Sequence, residues 1–160
     1  MSIKQLVIVT ALATAAASAS ASVERWGTLG STPSVDKADV GTRSFDNIYT
    51  FELVAPGSVD AYASSFEDRS TGIVDGLVTL YEGRRGHGVS LGSFTFGVAQ
   101  EQVFANLSPD HYYFELTGSG VKAGGSYDFE AYVPAVPEPA GGALLLAGLG
   151  MMGFMARRRR

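Results

Sequence analysis

One serine in the chain has the surroundings of a catalytic nucleophile. Residues Gly88–Gly92 have the Gly-x-Ser-x-Gly spacing of a nucleophile elbow around Ser90, and Asp110 and His111 follow as an acid and a base. An elbow has to join a strand to a helix, so that the serine is exposed at a sharp turn. The next residues, SFTFGV, alternate like a strand instead. A glycine-flanked strand serine is therefore predicted, and a small serine hydrolase is the last alternative.

A group of carboxylates has the chemistry of a calcium site. Glu67, Asp68 and Asp75 flank the sequence RSTG, and calcium prefers several oxygen ligands supplied by a loop. No EF-hand or nonapeptide repeat accompanies them, so an acidic, solvated loop is the simpler interpretation.

Other metal and thiol chemistry has little support. The chain contains no cysteine and two histidines, His87 and His111, which both lie beside turn residues. Without cysteine there is no disulfide framework, thiol nucleophile or zinc-thiolate site. The sequence therefore predicts no metal, no cofactor and no catalytic residue.

Sugar binding is the second functional class that the residue types allow. Exposed aromatic side chains can stack on the apolar faces of sugar rings, and Tyr62, Tyr81 and Tyr132 are the candidates. Arg84 and Arg85 form a loop tip that can meet an anionic polysaccharide. A carbohydrate- or calcium-binding β-sandwich module is therefore the alternative function.

The charge of the middle region argues against nucleic acid as a partner. Between Ser22 and Val136 there are seven basic and fifteen acidic residues, a net charge of −8. Such a domain repels nucleic-acid phosphates.

The elements that must position these residues are strands. Alternation with a period of two, interrupted by Gly, Asp, Pro and Ser clusters, predicts about seven strands and no long helix between the two ends of the chain. The predicted strands are RSFDNIYTFELV, SVDAYASSF (returning as a hairpin strand or lying beside a neighbour), GIVDGLVTLYE, VSLGSFTFGV, QVFANL, HYYFELTG and SYDFEAYV.

Rows of large apolar side chains share one face of several predicted strands. Such rows are Phe45, Tyr49, Phe51 and Leu53; Phe94, Phe96 and Val98; Tyr112, Phe114 and Leu116; and Tyr127, Phe129, Ala131 and Val133. Two sheets can pack these rows together. The prediction is an all-β fold, a single β-sandwich of jelly-roll or immunoglobulin-like type over residues 22–135.

The first 21 residues have the three parts of a secretory signal peptide. Lys4 precedes an apolar run from Leu6 to about Ala17, and small residues follow as Ala19-Ser20-Ala21. The apolar run is shorter than the ~20 residues that a bilayer span needs. Export and cleavage after Ala21 are therefore predicted, and an uncleaved N-terminal anchor is the alternative.

The last 25 residues have three parts as well. Val136-Pro137-Glu138-Pro139 is an extended, accessible neck, because each proline lacks an N–H and disfavours helix before it. Ala140–Ala156 is uncharged and glycine-rich, about 25 Å long as a helix. Arg157, Arg158, Arg159 and Arg160 should stay cytoplasmic, since arginine is costly to move through lipid. A transmembrane helix is therefore predicted, and a permanent anchor is its alternative.

This order of Pro-Glu-Pro, short apolar helix and arginine cluster resembles the PEP-CTERM sorting signal of Gram-negative bacteria. The resemblance covers residues 136–160 and implies processing near Pro137–Pro139 by exosortase, a membrane-embedded transpeptidase-like enzyme. Carriers of this signal occur with exopolysaccharide production genes. The resemblance therefore implies a transient inner-membrane anchor followed by release to the cell surface or extracellular matrix.

Two stretches resemble small β-domains. SFDNIYTFEL resembles the Phe-x-Asp-x-Phe motif of a family of small PEP-CTERM proteins, with Phe45 matching, Asn47 in place of aspartate and Tyr49 in place of phenylalanine. NLSPDHYYFELTGSGVKAGGSYDFEAYV is similar to the closing strands of that family and of bacterial pre-peptidase C-terminal domains. This resemblance implies an all-β domain without established enzymatic activity.

Together these observations predict a non-enzymatic exported protein with three segments: a signal peptide (1–21), a β-sandwich (22–135) and a sorting signal (136–160). Exosortase and exopolysaccharide are the expected partners, and biofilm association is the expected setting.

Overall fold

The computed structural model describes residues 20–97, 99–135 and 141–158. Within these ranges, nine strands form two sheets and one helix follows them. The elements are β1 (Ser20–Thr28), β2 (Ser34–Val40), β3 (Ser44–Glu52), β4 (Gly57–Phe66), β5 (Thr71–Glu82), β6 (Val89–Thr95), β7 (Gln100–Leu107), β8 (His111–Lys122), β9 (Gly125–Tyr132) and α1 (Gly141–Arg158). The predicted all-β, sandwich-like fold is confirmed.

The strands divide into a five-stranded and a four-stranded sheet. Sheet A has the order β1-β3-β8-β5-β6, and sheet B has the order β2-β9-β4-β7. Neighbouring strands are antiparallel except β1, which runs parallel to β3. Because successive side chains on a strand point to opposite faces, each sheet has one face toward the other sheet and one outer face.

All seven predicted strands are present, and burial alternates most regularly in β4 and β9. Two further strands were missed. At the start of β2, Val35 is exposed while Asp36 faces the other sheet, so the first part of the strand runs opposite to an ordinary half-buried pattern. Most of β1 is exposed, since it is an edge strand that adds to sheet A by parallel pairing.

The β3–β4 connection differs from one of the two sequence predictions. SVDAYASSF does not return beside the preceding strand as a hairpin, because β3 belongs to sheet A and β4 to sheet B. Val54-Ala55-Pro56 carries the chain from one sheet to the other. In sheet B, β4 pairs instead with β7 and β9.

Aromatic side chains fill the space between the sheets. Phe114 of sheet A and Phe129 of sheet B are both fully buried and meet edge to face, with ring centroids 5.1 Å apart. Trp26 stacks on Phe129 at 5.4 Å and lies 4.9 Å from the ring of Tyr49. The rows expected to face inward are buried, except that Val133 is partly buried and Val98 lies outside the described residues.

Candidate functional site

Ser90 lies in a strand and not at an elbow. It is an exposed residue of β6, which continues to Thr95, and it pairs with Tyr81 of β5. His111 begins β8, on the far side of β5. Strands lie about 4.8 Å apart, so two strand spacings are far beyond hydrogen-bond reach. The Gly-x-Ser-x-Gly pattern therefore does not place Ser90 within reach of His111 as a serine nucleophile requires.

The carboxylates considered for calcium have different structural roles. Asp68 closes a turn: its Oδ1 accepts hydrogen bonds from Ser70 N (2.5 Å), Ser70 Oγ (2.8 Å) and Thr71 N (2.7 Å). These bonds, chiefly the one from the Ser70 backbone, lower the pKa of Asp68 to about 2. Asp75 lies in the β5 bulge with a φ of 54°. Among the described residues, no three His, Asp or Glu side chains are grouped to hold a metal.

The three tyrosines considered for sugar stacking lie on outer faces and are all half-buried. Tyr62 and Tyr132 belong to sheet B, where each pairs with a carboxylate residue, Glu130 and Asp60 respectively. Tyr81 belongs to sheet A and stacks on Tyr113, with the ring planes 7° apart and centroids at 4.8 Å. The sequence grouped these residues, but the structure divides them between the two sides of the sandwich.

The residues of the Phe-x-Asp-x-Phe-like motif face the interior. Phe45, Asn47 and Tyr49 are 2%, 5% and 1% exposed, so none can contact a large ligand directly. Phe45 stacks on Tyr127 with ring centroids 5.5 Å apart. The motif therefore has a structural role in this domain.

Asn47 and Tyr49 belong to a polar network that joins the two sheets; its members are Ser22, Asn47, Tyr127, Tyr49 and Asp36. Ser22 N and Oγ donate to Asn47 Oδ1 at 3.2 and 2.8 Å. Asn47 Nδ2 donates to the Tyr127 hydroxyl at 2.6 Å. The two tyrosine hydroxyls are 2.6 Å apart, and Tyr49 donates to Asp36 Oδ2 at 2.6 Å.

The direction of the hydrogen bonds in this network is fixed. An ionised carboxylate only accepts, so the single Tyr49 proton is committed to Asp36. The proton between the two hydroxyls must then come from Tyr127, whose oxygen in turn accepts from the Asn47 amide. Burial is the main cause that raises the pKa of both Tyr49 and Tyr127, so both keep their protons at neutral pH.

The raised pKa values of these tyrosines predict a loss of stability in alkali. A tyrosine in the unfolded chain ionises near pH 10, whereas the folded protein holds the protons of Tyr49 and Tyr127 to higher pH. The unfolded state then binds fewer protons, and each tyrosine lowers the free energy of unfolding by about 1.4 kcal/mol in total between pH 9 and pH 11. Urea unfolding at pH 9 and at pH 11 should show a loss smaller by about that amount in Tyr49→Phe; identical losses would contradict the prediction.

A groove on the outer side of sheet A gathers basic residues from separate parts of the chain. It encloses about 420 Å³ and is called the arginine groove below. Its lining includes Arg25, Thr50, Glu52, Arg84, Arg85, His111 and Tyr113. The sequence had singled out the Arg84-Arg85 pair as a loop tip, but the positions of Arg25 and Tyr113 beside it depend on strand order.

One wall of the arginine groove comes from a bulge in β1. Arg25 pairs with Thr50, and Gly27 pairs with the next residue of β3, so Trp26 is the extra residue. Gly27 has a φ of 70°, which favours glycine. The bulge lets Trp26 pack into the core while Arg25 stays exposed beside Thr50.

The opposite wall is the loop between β5 and β6. Gly83 N donates to His111 O at 2.7 Å, and His87 N donates to Arg84 O at 3.0 Å. Gly88 lies flat against Tyr113, since a Cβ there would come within 2.7 Å of the ring. The loop is thus pinned to sheet A, and it carries Arg84 and Arg85 to the groove.

A second cavity, of about 380 Å³, lies between the edge strands β6 and β7. Its charged lining residue is Glu82, and most of the rest is the stretch Gln102–Ser108. It offers no comparable grouping of charge.

The tail helix α1 presents large apolar side chains to solvent. Leu145, Leu146, Met151 and Phe154 are each more than 60% exposed. Exposed apolar surface of this kind marks a membrane or protein contact. Arg157 and Arg158 lie in the last turn, where positive charge also suits the helix dipole.

Across the described ranges, no helix has the combination of length and apolar character needed to cross a membrane. Several of the residues named from the sequence lie outside these ranges. They are Ala19, Val136, Pro137, Glu138, Pro139, Arg159 and Arg160. Ala21 is described, as the second residue of β1.

Several solved structures are similar to this chain. The pre-peptidase C-terminal domain of a collagenase from Bacillus anthracis has 17% sequence identity and a TM-score of 0.48, over 68% of this chain and 93% of that one. The Yersinia pseudotuberculosis-derived mitogen has 10% identity and a TM-score of 0.42, over 68% and 92%. Aeromonas hydrophila PliG, a periplasmic inhibitor of g-type lysozyme, has 8% identity and a TM-score of 0.39, over 71% and 99%. Identities this low carry no functional argument.

A search of curated proteins finds no match to the chain. Residues 135–160 match the PEP-CTERM protein-sorting motif. That motif implies export, a membrane-anchored sorting signal and processing by exosortase. The chain therefore carries a PEP-CTERM sorting motif over residues 135–160.

Proposed function

We propose that this chain is a non-enzymatic surface or extracellular-matrix protein that exosortase sorts. The secretory route exports it, the signal peptide (1–21) is removed, and the tail (136–160) holds it at the inner membrane until exosortase cuts near Pro137–Pro139. The β-sandwich (22–135) then reaches the cell surface or the exopolysaccharide of a biofilm. The observation that carries this proposal is the PEP-CTERM match over residues 135–160.

The tail helix has features that suit a transient membrane anchor. The helix α1 begins at Gly141, two positions after Pro139 in the sequence, and its described apolar side chains from Leu145 to Met155 are exposed. Arg157 and Arg158 end it with positive charge, which favours the cytoplasmic side. A glycine-rich helix is a loose one, in keeping with a transient anchor.

Cleavage after Ala21 would remove Ser20 and Ala21 from the start of β1 and leave the rest of the strand in place. Ser22 would become the new N-terminus, and its nitrogen lies 3.2 Å from Asn47 Oδ1. The new ammonium group would keep that acceptor, so processing would leave the polar network intact.

The structure favours a structural role for the sandwich over catalysis. Ser90 and His111 lie on opposite sides of β5, and the motif residues Phe45, Asn47 and Tyr49 are buried in the interior. What the domain presents to its surroundings is two outer faces and the arginine groove. These features suit association with another molecule.

The test is the intact mass of the protein recovered outside the producing cells. We expect a chain that begins at Ser22 and ends before Arg157. The triple variant Pro137→Ala/Glu138→Ala/Pro139→Ala should keep its arginines and stay in the inner-membrane fraction.

Pro134→Ala is the matched control, because it changes a proline just outside the motif and should be processed normally. Cells without exosortase should retain the unaltered chain at the inner membrane. Extracellular protein that still carries Arg157–Arg160 would overturn the proposal.

A further inference from the structure

The arginine groove concentrates positive charge on an acidic domain. Of the seven basic residues between Ser22 and Val136, three line this one groove, namely Arg25, Arg84 and Arg85. Glu52 is the acidic residue in its lining. A domain with a net charge of −8 gains nothing in solubility from grouping its few arginines, so their grouping points to a ligand.

These arginines are not engaged in holding the fold together. Within the part of the chain that the structure describes, the salt bridge joins Lys37 and Asp128, and neither residue lines the groove. Arg25, Arg84 and Arg85 are all exposed. Each guanidinium offers five N–H donors in a planar fork that matches a carboxylate, so the groove has donors to spare for an anion.

The backbone that carries the arginines is nevertheless well fixed. Arg25 is set beside Thr50 by the Trp26 bulge, and the loop with Arg84 and Arg85 is held by the Gly83–His111 hydrogen bond and the contact of Gly88 with Tyr113. A binding site built on fixed backbone loses less entropy when it captures a ligand.

The size and lining of the groove indicate the kind of anion. Its volume of about 420 Å³ lies in the range of small-molecule sites. The half-buried Thr50 places a hydroxyl between the cationic walls. A sugar residue with a carboxylate matches both, because its hydroxyls can bond to Thr50 and its carboxylate to the arginines. A nucleic acid has a far denser line of charge, which an acidic domain repels.

We infer that the arginine groove binds the carboxylate-bearing residues of an acidic polysaccharide. This inference rests on the proposed function, because the ligand is the polymer that surrounds the exported protein. Arg84 and Arg85 pair with carboxylates, and Arg25 closes the groove from the other side.

The experiment is calorimetric titration of the full chain with polygalacturonate oligosaccharides. Arg84→Ala/Arg85→Ala should weaken binding by about tenfold or more, since it removes two charge-assisted pairs. The matched control is Arg43→Ala/Arg69→Ala, which removes the same charge from exposed positions outside the groove. We expect the control to change the affinity by less than about twofold.

Three results would overturn the inference. They are unchanged binding by Arg84→Ala/Arg85→Ala, an equal loss in the control, and equal affinity for neutral dextran or for inorganic polyphosphate. Arg84→Lys/Arg85→Lys keeps the charge but loses the fork, so partial loss is expected. If the loop variants fail to fold, Arg25→Ala on the opposite wall gives the same readout.

The sorting proposal is tested by a measurement that does not depend on polysaccharide binding. Its readout is the pair of residues at which the extracellular chain begins and ends, and changes at Arg84 and Arg85 should not move either end. Normal processing without polygalacturonate binding would overturn the groove assignment and leave the sorting route in place.

Discussion

Replacing Phe129 with alanine is expected to lower the free energy of unfolding by about 3–5 kcal/mol, the usual cost of a phenylalanine cavity in a packed core. Phe129 is fully buried in β9. Its ring lies 5.4, 5.2 and 5.1 Å from those of Trp26, Tyr49 and Phe114. It therefore connects sheet B to both β1 and the centre of sheet A, and the cavity would have rigid aromatic walls.

Phe66→Ala is the matched control for this prediction. Phe66 ends β4 and is 56% exposed, so the same chemical change should cost less than about 0.5 kcal/mol. Urea unfolding followed by the fluorescence of Trp26, the single tryptophan, measures both variants. A cost below about 1 kcal/mol for Phe129→Ala would mean that the sheets do not pack through this ring.

The aromatic core could be predicted from sequence because it follows from local alternation. Phe129 and Phe114 each lie in a strand whose inward residues are two positions apart, and that pattern is visible without knowing the partner strand. The same logic failed for β1 and β2. Ser22 of β1 is exposed and Asp36 of β2 is half-buried, and they are held by hydrogen bonds to Asn47 and Tyr49 and not by apolar packing.

The arginine groove could be predicted only in part. Arg84 and Arg85 are adjacent in the sequence, between glycines that indicate a turn. Arg25 joins them because β1 pairs with β3 and β3 with β8, a strand order set by long-range packing. A bulge at Trp26 then decides which side chain turns outward. Neither the order nor the bulge leaves a periodic signal in the sequence.

The polar network gives the second large effect, a coupling between positions 47 and 49. Asn47→Asp removes the amide that donates to Tyr127 and places a second carboxylate acceptor in the network. Tyr127 then has to donate to the introduced carboxylate, while the Tyr49 proton is already committed to Asp36. The two hydroxyl oxygens, 2.6 Å apart, would face each other without a proton between them.

We expect Asn47→Asp to lower the free energy of unfolding by about 2–3 kcal/mol, because it leaves buried groups unsatisfied. Tyr49→Phe should cost about 1–2 kcal/mol, since it removes the hydrogen bonds to Asp36 and Tyr127. In the double variant the competing hydroxyl is gone, and Tyr127 is free to donate to the introduced carboxylate. The double variant should therefore be more stable than the sum of the single costs predicts, by about 1 kcal/mol or more.

The measurement is a double-mutant cycle by urea unfolding at pH 7, with Asn106→Asp as the matched control. Asn106 is an exposed residue of β7 with a φ of 59°, a conformation that asparagine and aspartate both tolerate. Its change to aspartate should be nearly neutral. Additive costs at positions 47 and 49 would contradict the fixed direction of the network.

A positive coupling would also explain how this chain departs from the Phe-x-Asp-x-Phe pattern that its β3 strand resembles. The double variant carries the aspartate and phenylalanine of that pattern, and its hydrogen bonds are consistent because phenylalanine brings no competing proton. Asn47 and Tyr49 form a second pair with consistent hydrogen bonds. The Asn47 amide donates to the Tyr127 hydroxyl, and the Tyr127 proton is left for the Tyr49 hydroxyl. A change at only one of positions 47 and 49 would leave the hydrogen bonds of the network inconsistent. The two differences from the pattern are therefore expected to occur together.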